Sequence, residues 1–140
     1  MGKFWFSYLV HNLTVFLIAN ENKVASTGEI GKSVNGAPIF YLKLSEPDTK
    51  KVKPKFKIVG SMHGNEVSGK DSDKFINLIL ICYFQNIKGR QIVEALAQYL
   101  VQNYKTKADG GRVRHLIHKT DIYLVPLLNP DGYAKSKVLK

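Results

Sequence analysis

The stretch KPKFKIVGSMHGNEVSG, residues 53–69, joins an apolar run to a turn that carries a histidine and a glutamate. The run FKIVGSM is typical of a short buried strand, which would place His63 at the strand's carboxyl end, where α/β proteins have their sites. His63 and Glu66 are three residues apart, so on the first turn after a strand they point the same way. An imidazole and a carboxylate in this arrangement are suited to binding one metal ion.

The same two residues also fit a simpler interpretation. A hydrolytic zinc site needs three protein ligands from histidine and carboxylate, with one position left for water. The pattern H-x-x-E is common by chance, and acidic residues are frequent in a helix's first turn because the helix dipole favours them there. In isolation, the pair favours a solvated turn with a helix-terminal glutamate over a metal site.

Residues 24–45 predict a β-hairpin. Gly31 and the Asn35-Gly36 pair interrupt β-branched and aromatic stretches, as turn residues do between two strands. The turn contains the tripeptide GKS, which invites comparison with a phosphate-binding loop. That loop needs a glycine five residues before Gly31, where this chain has Ser26, so we reject the phosphate-binding interpretation.

The rest of the chain alternates helix and strand. Residues 90–104 predict the best helix, because their apolar residues recur at helical spacing. These residues are Ile92, Val93, Leu96, Ala97, Leu100 and Val101. Residues 108–120 predict the end of a loop and a shorter helix, and DIYLVPLL, 121–128, predicts an apolar strand that the turn NPDG ends. The predicted class is α/β, with a parallel or mixed sheet.

Composition limits the possible partners. The chain has 140 residues, enough for one compact domain with a core. Its net charge of +10 could attract several kinds of anionic partner. The aromatic residues near the lysine groups lack the interleaved pattern of single-strand binders, so we expect no nucleic acid partner. The single cysteine, Cys82, excludes an internal disulfide framework.

The first twenty residues are apolar enough to suggest a signal peptide, but the match is weak. His11 and Asn12 interrupt the apolar run, and Leu17 stands where a small residue is needed before a cut after Ala19. A domain helix with one apolar face explains the same pattern. No segment reaches the ~18 uninterrupted apolar residues of a membrane span, so we expect no transmembrane segment.

Three segments, taken together, resemble a known family. In order and spacing, IGKSVNGAPIFYLKLS, KPKFKIVGSMHGNEVSG and RVRHLIHKTDIYLVPLLNPDGY resemble the amino-terminal half of the zinc metallocarboxypeptidases of the carboxypeptidase A superfamily. The tetrapeptide HGNE and the turn NPDGY are similar to the regulatory branch, which contains carboxypeptidases D, E, M and N. Apart from one interruption, the resemblance covers roughly residues 10–135.

The resemblance implies the amino-terminal half of the zinc carboxypeptidase fold, a mixed parallel and antiparallel central sheet with helices on both faces. It implies that His63 and Glu66 are the first two of three ligands to one Zn2+ ion. The third ligand, a histidine, is expected beyond Lys140, as are the general-base glutamate and the substrate-binding arginines, so no catalytic residue is assigned here. The family uses neither His115 nor His118 as a ligand.

The interruption spans residues 70–89, where the family pattern has no counterpart. Joining Gly69 to Arg90 would restore that pattern, and the intervening FINLILICYF, residues 75–84, is too short to cross a bilayer and too apolar for an exposed loop. One hypothesis is translated intervening sequence in an imperfect gene model. The other is a genuine insertion that forms an extra strand or helix.

The sequence as a whole predicts a partial peptidase catalytic domain over residues 1–140, without its carboxy-terminal half. The expected partners are peptide or protein carboxy-termini, possibly those ending in Lys or Arg, in an extracellular or secretory compartment. We expect this chain by itself to be inactive. A non-catalytic pseudo-peptidase binding module and a basic nucleic-acid-binding domain remain alternatives, the first testable by zinc-free folding and the second by salt-sensitive binding.

Overall fold

The computed structural model describes residues 23–47, 52–63, 89–106 and 109–138. The described elements are β1 (Ala25–Lys32), β2 (Pro38–Leu44), β3 (Lys55–Val59), α1 (Gly89–Thr106), α2 (Arg112–Lys119), β4 (Asp121–Val125) and α3 (Pro130–Val138). The strands form one sheet in the order β1-β2-β4-β3. The β1–β2 and β2–β4 pairs are antiparallel and the β3–β4 pair is parallel, which confirms the predicted α/β class with a mixed sheet.

Strands β1 and β2 form the predicted hairpin. Its turn is closed by the Ser33 amide, which donates to the Ala37 carbonyl at 2.8 Å. Gly36 has a φ of 82°, a left-handed conformation that glycine adopts without steric cost. Gly31 lies inside β1 and not in the turn, at an irregularity in the strand register that begins at Glu29. Of the predicted turn residues, the Asn35-Gly36 pair therefore lies in the turn and Gly31 does not.

The core lies between one face of the sheet and two helices. Leu42 of β2 pairs with Leu124 of β4, and both are fully buried. The core also contains Leu44, Ile122, Val93, Ala97, Leu100, Val101, Val113 and Ile117. The α1 members recur at helical spacing, which confirms the helix predicted over 90–104, and α2 is the predicted shorter helix. Within the described residues, no helix is long and apolar enough to cross a membrane.

Strand β3 forms where it was predicted, but the prediction that it is buried is wrong. Within the described residues it pairs only with β4 and so lies at the edge of the sheet. Phe56 is 57% exposed and Val59 is 40% exposed, while Ile58 packs against the core. A short apolar run does not reveal whether a strand has one neighbour or two, which is why the sequence misjudged its burial.

The tetrapeptide NPDG begins a helix, whereas the sequence predicted a turn. The Asn129 side chain accepts a hydrogen bond from the Gly132 amide at 2.8 Å, and its carbonyl accepts one from the Tyr133 amide at 3.1 Å. Asn129 is thus the N-cap of α3, and Pro130 occupies the first helical position, where its missing N–H costs nothing. Turns and helix starts favour the same residue types, so the local signal was ambiguous.

Candidate metal centre

His63 lies at the carboxyl end of the parallel pair β3–β4, where the sequence placed it. Backbone hydrogen bonds continue beyond both strands: the Gly60 amide donates to the Val125 carbonyl at 2.8 Å and the Asn129 amide donates to the Ser61 carbonyl at 3.1 Å. The segment that leads to His63 is therefore held beside the segment that leads into α3. This end of a parallel strand pair is the usual place for a binding site in an α/β protein.

Ser61 bends the backbone two residues before His63. Its φ is 49°, which makes it the one non-glycine residue with a positive φ in the described part of the chain, and it is 8% exposed. The left-handed conformation costs a non-glycine residue about 1–2 kcal/mol. Strain of this kind persists only where the surroundings impose it, and it is frequent at functional sites.

Three backbone segments meet at Gly60. A Cβ atom on this residue would lie 2.7 Å from the carbonyl oxygens of both Gly89 and Pro126. A Cβ on Gly89 would lie 3.2 Å from the Ser61 amide nitrogen. The start of α1 is therefore packed directly against the backbone that precedes His63, at a distance that only glycine permits.

The Arg90 side chain connects the starts of α1 and α3. The Arg90 guanidinium lies over the Tyr133 ring, 5.2 Å from its centroid, and its Nε is 3.5 Å from a Glu94 carboxylate oxygen. The side chains of Arg90 and Glu94 are 13% and 20% exposed. Burial excludes water from the pair, so the attraction is screened less than in a surface salt bridge. Sequence reasoning used Arg90 only to mark the end of the interruption and missed this contact.

Asp131 joins the hairpin turn to α3. Its carboxylate accepts a hydrogen bond from the Ser33 hydroxyl at 2.9 Å and another from the Asn35 amide at 3.1 Å. Burial of Asp131 favours its neutral form, but the hydrogen bonds from Asn35 and Ser33 outweigh that effect and lower the pKa of the carboxyl group below its usual value. These contacts link residues 96 and 98 positions apart in the chain, so no local signal predicted them.

Asp131→Asn is expected to destabilise the chain by about 1 kcal/mol at pH 7, because it weakens two charge-assisted hydrogen bonds. The effect is modest because these bonds are partly exposed to solvent. The folded pKa is lowered, so this stabilisation is present above the unfolded pKa of about 3.9 and disappears as the pH falls through the folded value. Urea unfolding at pH 7 and pH 3 should therefore show a difference from wild type that shrinks in acid.

Glu29→Gln, at an exposed carboxylate of β1, is the matched control for the Asp131 substitution. It should change the free energy of unfolding by less than about 0.5 kcal/mol at either pH. A difference between wild type and Asp131→Asn that stays constant from pH 7 to pH 3 would show that ionisation of Asp131 contributes nothing.

His118 of α2 lies at the opposite end of the sheet. His118 Nδ1 lies 2.6 Å from a carboxylate oxygen of Glu46, and the Tyr104 hydroxyl donates to the other oxygen at 3.1 Å. The hydrogen bond from His118 is the main cause of a lowered pKa at Glu46. Glu46 follows β2, whose last residues pair with the first residues of β4. This cluster ties the end of β2 to α1 and α2.

The predicted ligands are not brought together in the described part of the chain. His63 is placed, whereas Glu66 falls within 64–88, outside the described residues. Over the described ranges, no group of three or more His, Cys, Asp or Glu side chains could hold a metal ion. His63 is a suitable zinc donor at a suitable end of the sheet, but one imidazole is only part of a donor set.

Comparison with known proteins identifies the family. The zinc carboxypeptidase model of the peptidase M14 family matches residues 11–79 and 85–138. The chain therefore belongs to the zinc carboxypeptidase family. It is 32% identical to human carboxypeptidase D over 131 residues, which are 90% of this chain and 8% of that protein. It is 36% identical to carboxypeptidase Z of Gallus gallus over 115 residues, 81% of this chain and 14% of that protein.

Solved structures show the same fold. A metallo-carboxypeptidase from Burkholderia cenocepacia aligns with a TM-score of 0.65 and 24% identity, over 90% of this chain and 28% of that one. Thrombin activatable fibrinolysis inhibitor aligns with a TM-score of 0.62 and 17% identity, over 86% of this chain and 24% of that one. The chain thus spans only a fraction of the proteins it matches. The predicted family, its carboxypeptidase D-like branch and the predicted fold are confirmed.

Proposed function

We propose that these 140 residues are part of the catalytic domain of a zinc-dependent metallocarboxypeptidase, which removes carboxy-terminal residues from peptides and proteins. The observation that carries the proposal is the placement of His63. The residue follows β3 at the carboxyl end of the only parallel strand pair in the described sheet, in a chain of the zinc carboxypeptidase family. We assign His63 and Glu66 as two ligands of a single Zn2+ ion.

In the proposed mechanism, the role of His63 and Glu66 is to bind zinc. His63 contributes an imidazole nitrogen and Glu66 a carboxylate oxygen, both suitable for zinc. When bound, zinc lowers the pKa of a water molecule enough to make it a nucleophile near neutral pH. The family resemblance assigns the third ligand, a general-base glutamate and the arginines that bind substrate to sequence outside these 140 residues.

The backbone around Gly60 supports this role for His63. Gly60 and Ser61 form backbone hydrogen bonds with β4 and the segment that follows it, and they are in close contact with the start of α1. A histidine that follows so constrained a backbone is placed by the main chain, and zinc sites require ligand positions accurate to a few tenths of an ångström. A preference for Lys or Arg at the substrate's carboxy-terminus, and a secretory or extracellular location, are proposed from the family branch alone.

Residues 70–89 are proposed to interrupt the catalytic domain, and within this range the family match leaves out residues 80–84. In support, Gly89 contacts the backbone of Gly60 and Ser61, so the chain returns to the place from which it departed. Joining Gly69 to Arg90 would again put a glycine before Arg90 at this close contact. Peptides from mass spectrometry distinguish the two origins: a direct Gly69–Arg90 junction indicates intervening sequence, and a peptide containing Phe84 indicates a genuine insertion.

Zinc affinity tests the ligand assignment. Loss of an outer contact to a metal ligand alone costs about 10- to 100-fold in affinity, so His63→Ala and Glu66→Gln should each weaken zinc binding at least tenfold. The measurement is competition with a chromophoric chelator, on the purified 140-residue chain. His115→Ala removes an exposed histidine on α2 and is the matched control, which should bind as wild type does.

The ligand assignment is wrong if all three variants bind zinc as wild type does, or if His115→Ala weakens binding as much as His63→Ala. The same purified chain is expected to show no hydrolysis of a peptide substrate, because two ligands without a general base do not complete the site. Hydrolysis that is abolished both by a chelator and by Glu66→Gln would contradict that expectation.

A further inference from the structure

The backbone that precedes His63 is held by the starts of two helices. The Ser61 carbonyl accepts a hydrogen bond from the Asn129 amide at 3.1 Å, and Asn129 is the N-cap of α3. The Ser61 amide nitrogen lies against Gly89, the first residue of α1, where an added Cβ would be only 3.2 Å away from it. The position of His63 therefore depends on how α1 and α3 are placed relative to each other.

The Arg90 side chain joins these two helix starts directly. Arg90 follows Gly89 in α1, and its guanidinium lies 5.2 Å from the centroid of the Tyr133 ring in α3. The Tyr133 amide donates in turn to the Asn129 carbonyl at 3.1 Å. These contacts form a closed circuit that runs from Ser61 to α1, across to α3 and back to Ser61. The contact between Arg90 and Tyr133 is the side-chain step of that circuit.

The contact between Arg90 and Tyr133 is buried. The Arg90 side chain is 13% exposed and Tyr133 is 4% exposed. The Glu94 carboxylate, 3.5 Å from Arg90 Nε, balances the buried charge. A planar guanidinium is suited to a position over an aromatic ring, and the attraction is stronger where water is excluded. Arg90 can therefore hold the two helix starts in one arrangement.

We propose that Arg90 is a positioning residue for the candidate zinc site: through its contact with Tyr133 it fixes α1 against α3, and so sets the position of His63. The inference rests on the proposed function, in which His63 is a zinc ligand, and it gives Arg90 no direct contact with the metal. Ligand positions have to be accurate to a few tenths of an ångström. Loss of the contact should therefore weaken zinc binding in a chain that is still folded.

Arg90→Lys tests this role on the full 140-residue chain. The substitution keeps a positive charge near Glu94 but removes the planar group over the Tyr133 ring. Zinc affinity, measured by competition with a chromophoric chelator, should fall about 3- to 30-fold, the range in which residues that act through others change affinity. Circular dichroism under the same conditions shows whether the variant is folded.

Arg114→Lys is the matched control. The Arg114 guanidinium lies over the Tyr104 ring, 5.7 Å from its centroid, so the same substitution removes the same kind of contact. The Tyr104 hydroxyl donates to Glu46, which follows β2 at the end of the sheet opposite His63. Arg114→Lys should therefore bind zinc within about twofold of wild type.

A double-mutant cycle tests whether Arg90 acts through Tyr133. Tyr133→Leu removes the ring and by itself should weaken zinc binding to a similar extent. If the two residues act through one contact, the double variant should bind zinc no more weakly than the weaker single variant, whereas independent effects would multiply. Tyr133→Leu also tests the contact from its other side should Arg90→Lys fail to fold.

Hydrogen exchange provides a measurement that does not depend on zinc. In the metal-free chain, the Asn129 amide, which donates to Ser61, should exchange at least about threefold faster in Arg90→Lys than in wild type. Amides of the central strand β4 should exchange as in wild type, which shows that the variant is folded. Arg114→Lys should leave the exchange of the Asn129 amide unchanged.

Each outcome of these experiments decides the proposal. Weaker zinc binding and faster Asn129 exchange in Arg90→Lys, with both unchanged in Arg114→Lys, support it. Unchanged zinc affinity in Arg90→Lys, or losses that multiply in the double variant, overturn it. If wild type and His63→Ala bind zinc equally, the proposed function fails instead. The Asn129 exchange then decides whether Arg90 fixes this backbone: a faster rate in Arg90→Lys supports that role, and an unchanged rate overturns it.

Discussion

Gly60→Ala is expected to lower the free energy of unfolding by about 3 kcal/mol, at the upper end of the usual cost of overpacking. The added methyl group would lie 2.7 Å from the carbonyl oxygens of Gly89 and Pro126. Both are backbone atoms and belong to two different segments, so neither can rotate away as a side chain would. Either β4 or α1 has to move, and the effect should be visible as a lower midpoint in urea unfolding.

The matched control for this substitution is Gly31→Ala. A Cβ atom on Gly31 would meet nothing within 4 Å, so the change should stay within about 0.5 kcal/mol, as is usual for surface sites. Zinc binding is a second measurement, which separates stability from the geometry of the site. Under conditions in which Gly60→Ala remains folded, it should also bind zinc more weakly, because His63 follows three residues later. Equal unfolding midpoints for the two alanine variants would contradict the close contact at Gly60.

Leu124→Ala is expected to have an effect as large or larger, about 2–5 kcal/mol of unfolding free energy. Leu124 is fully buried on the sheet face that α1 and α2 cover, directly opposite the equally buried Leu42. Truncation removes buried apolar surface and leaves a cavity that rigid strands on both sides of β4 cannot fill. Thermal or urea unfolding followed by circular dichroism measures the loss.

Leu116→Ala is the control for the core substitution. Leu116 lies on α2 and is 44% exposed, so the same chemical change should cost less than about 1 kcal/mol, since burial sets the transfer contribution. If both leucine variants lost the same stability, the packing of α2 described above would be incorrect.

Sequence periodicity predicted the core better than it predicted the edges of the fold. Helix α1 was predictable because Val93, Ala97 and Leu100 repeat at the spacing of one helical face, and that face is the buried one. The same pattern included Ile92, which is 43% exposed, because periodicity does not say where a buried stripe stops. The hairpin was predictable because its turn residues are local signals.

The features that surround His63 were not predictable in this way. The contact of Gly60 with Gly89 and the hydrogen bonds of Asp131 join residues distant in sequence. The exposure of β3 depends on how many neighbours a strand acquires, which is a property of the whole sheet. The family was nevertheless recognisable, because HGNE and NPDGY are short contiguous motifs that can be identified without knowledge of the fold.

The close contact of three backbone segments at Gly60 has a consequence for how this part of the protein can evolve. The position of His63 relative to α1 is fixed there by carbonyl and amide groups, which every residue has, and by the absence of a side chain at one position. Neighbouring side chains are therefore free to diverge without moving the histidine. Sequence drift around the site should be tolerated widely, while Gly60 itself should accept almost no replacement.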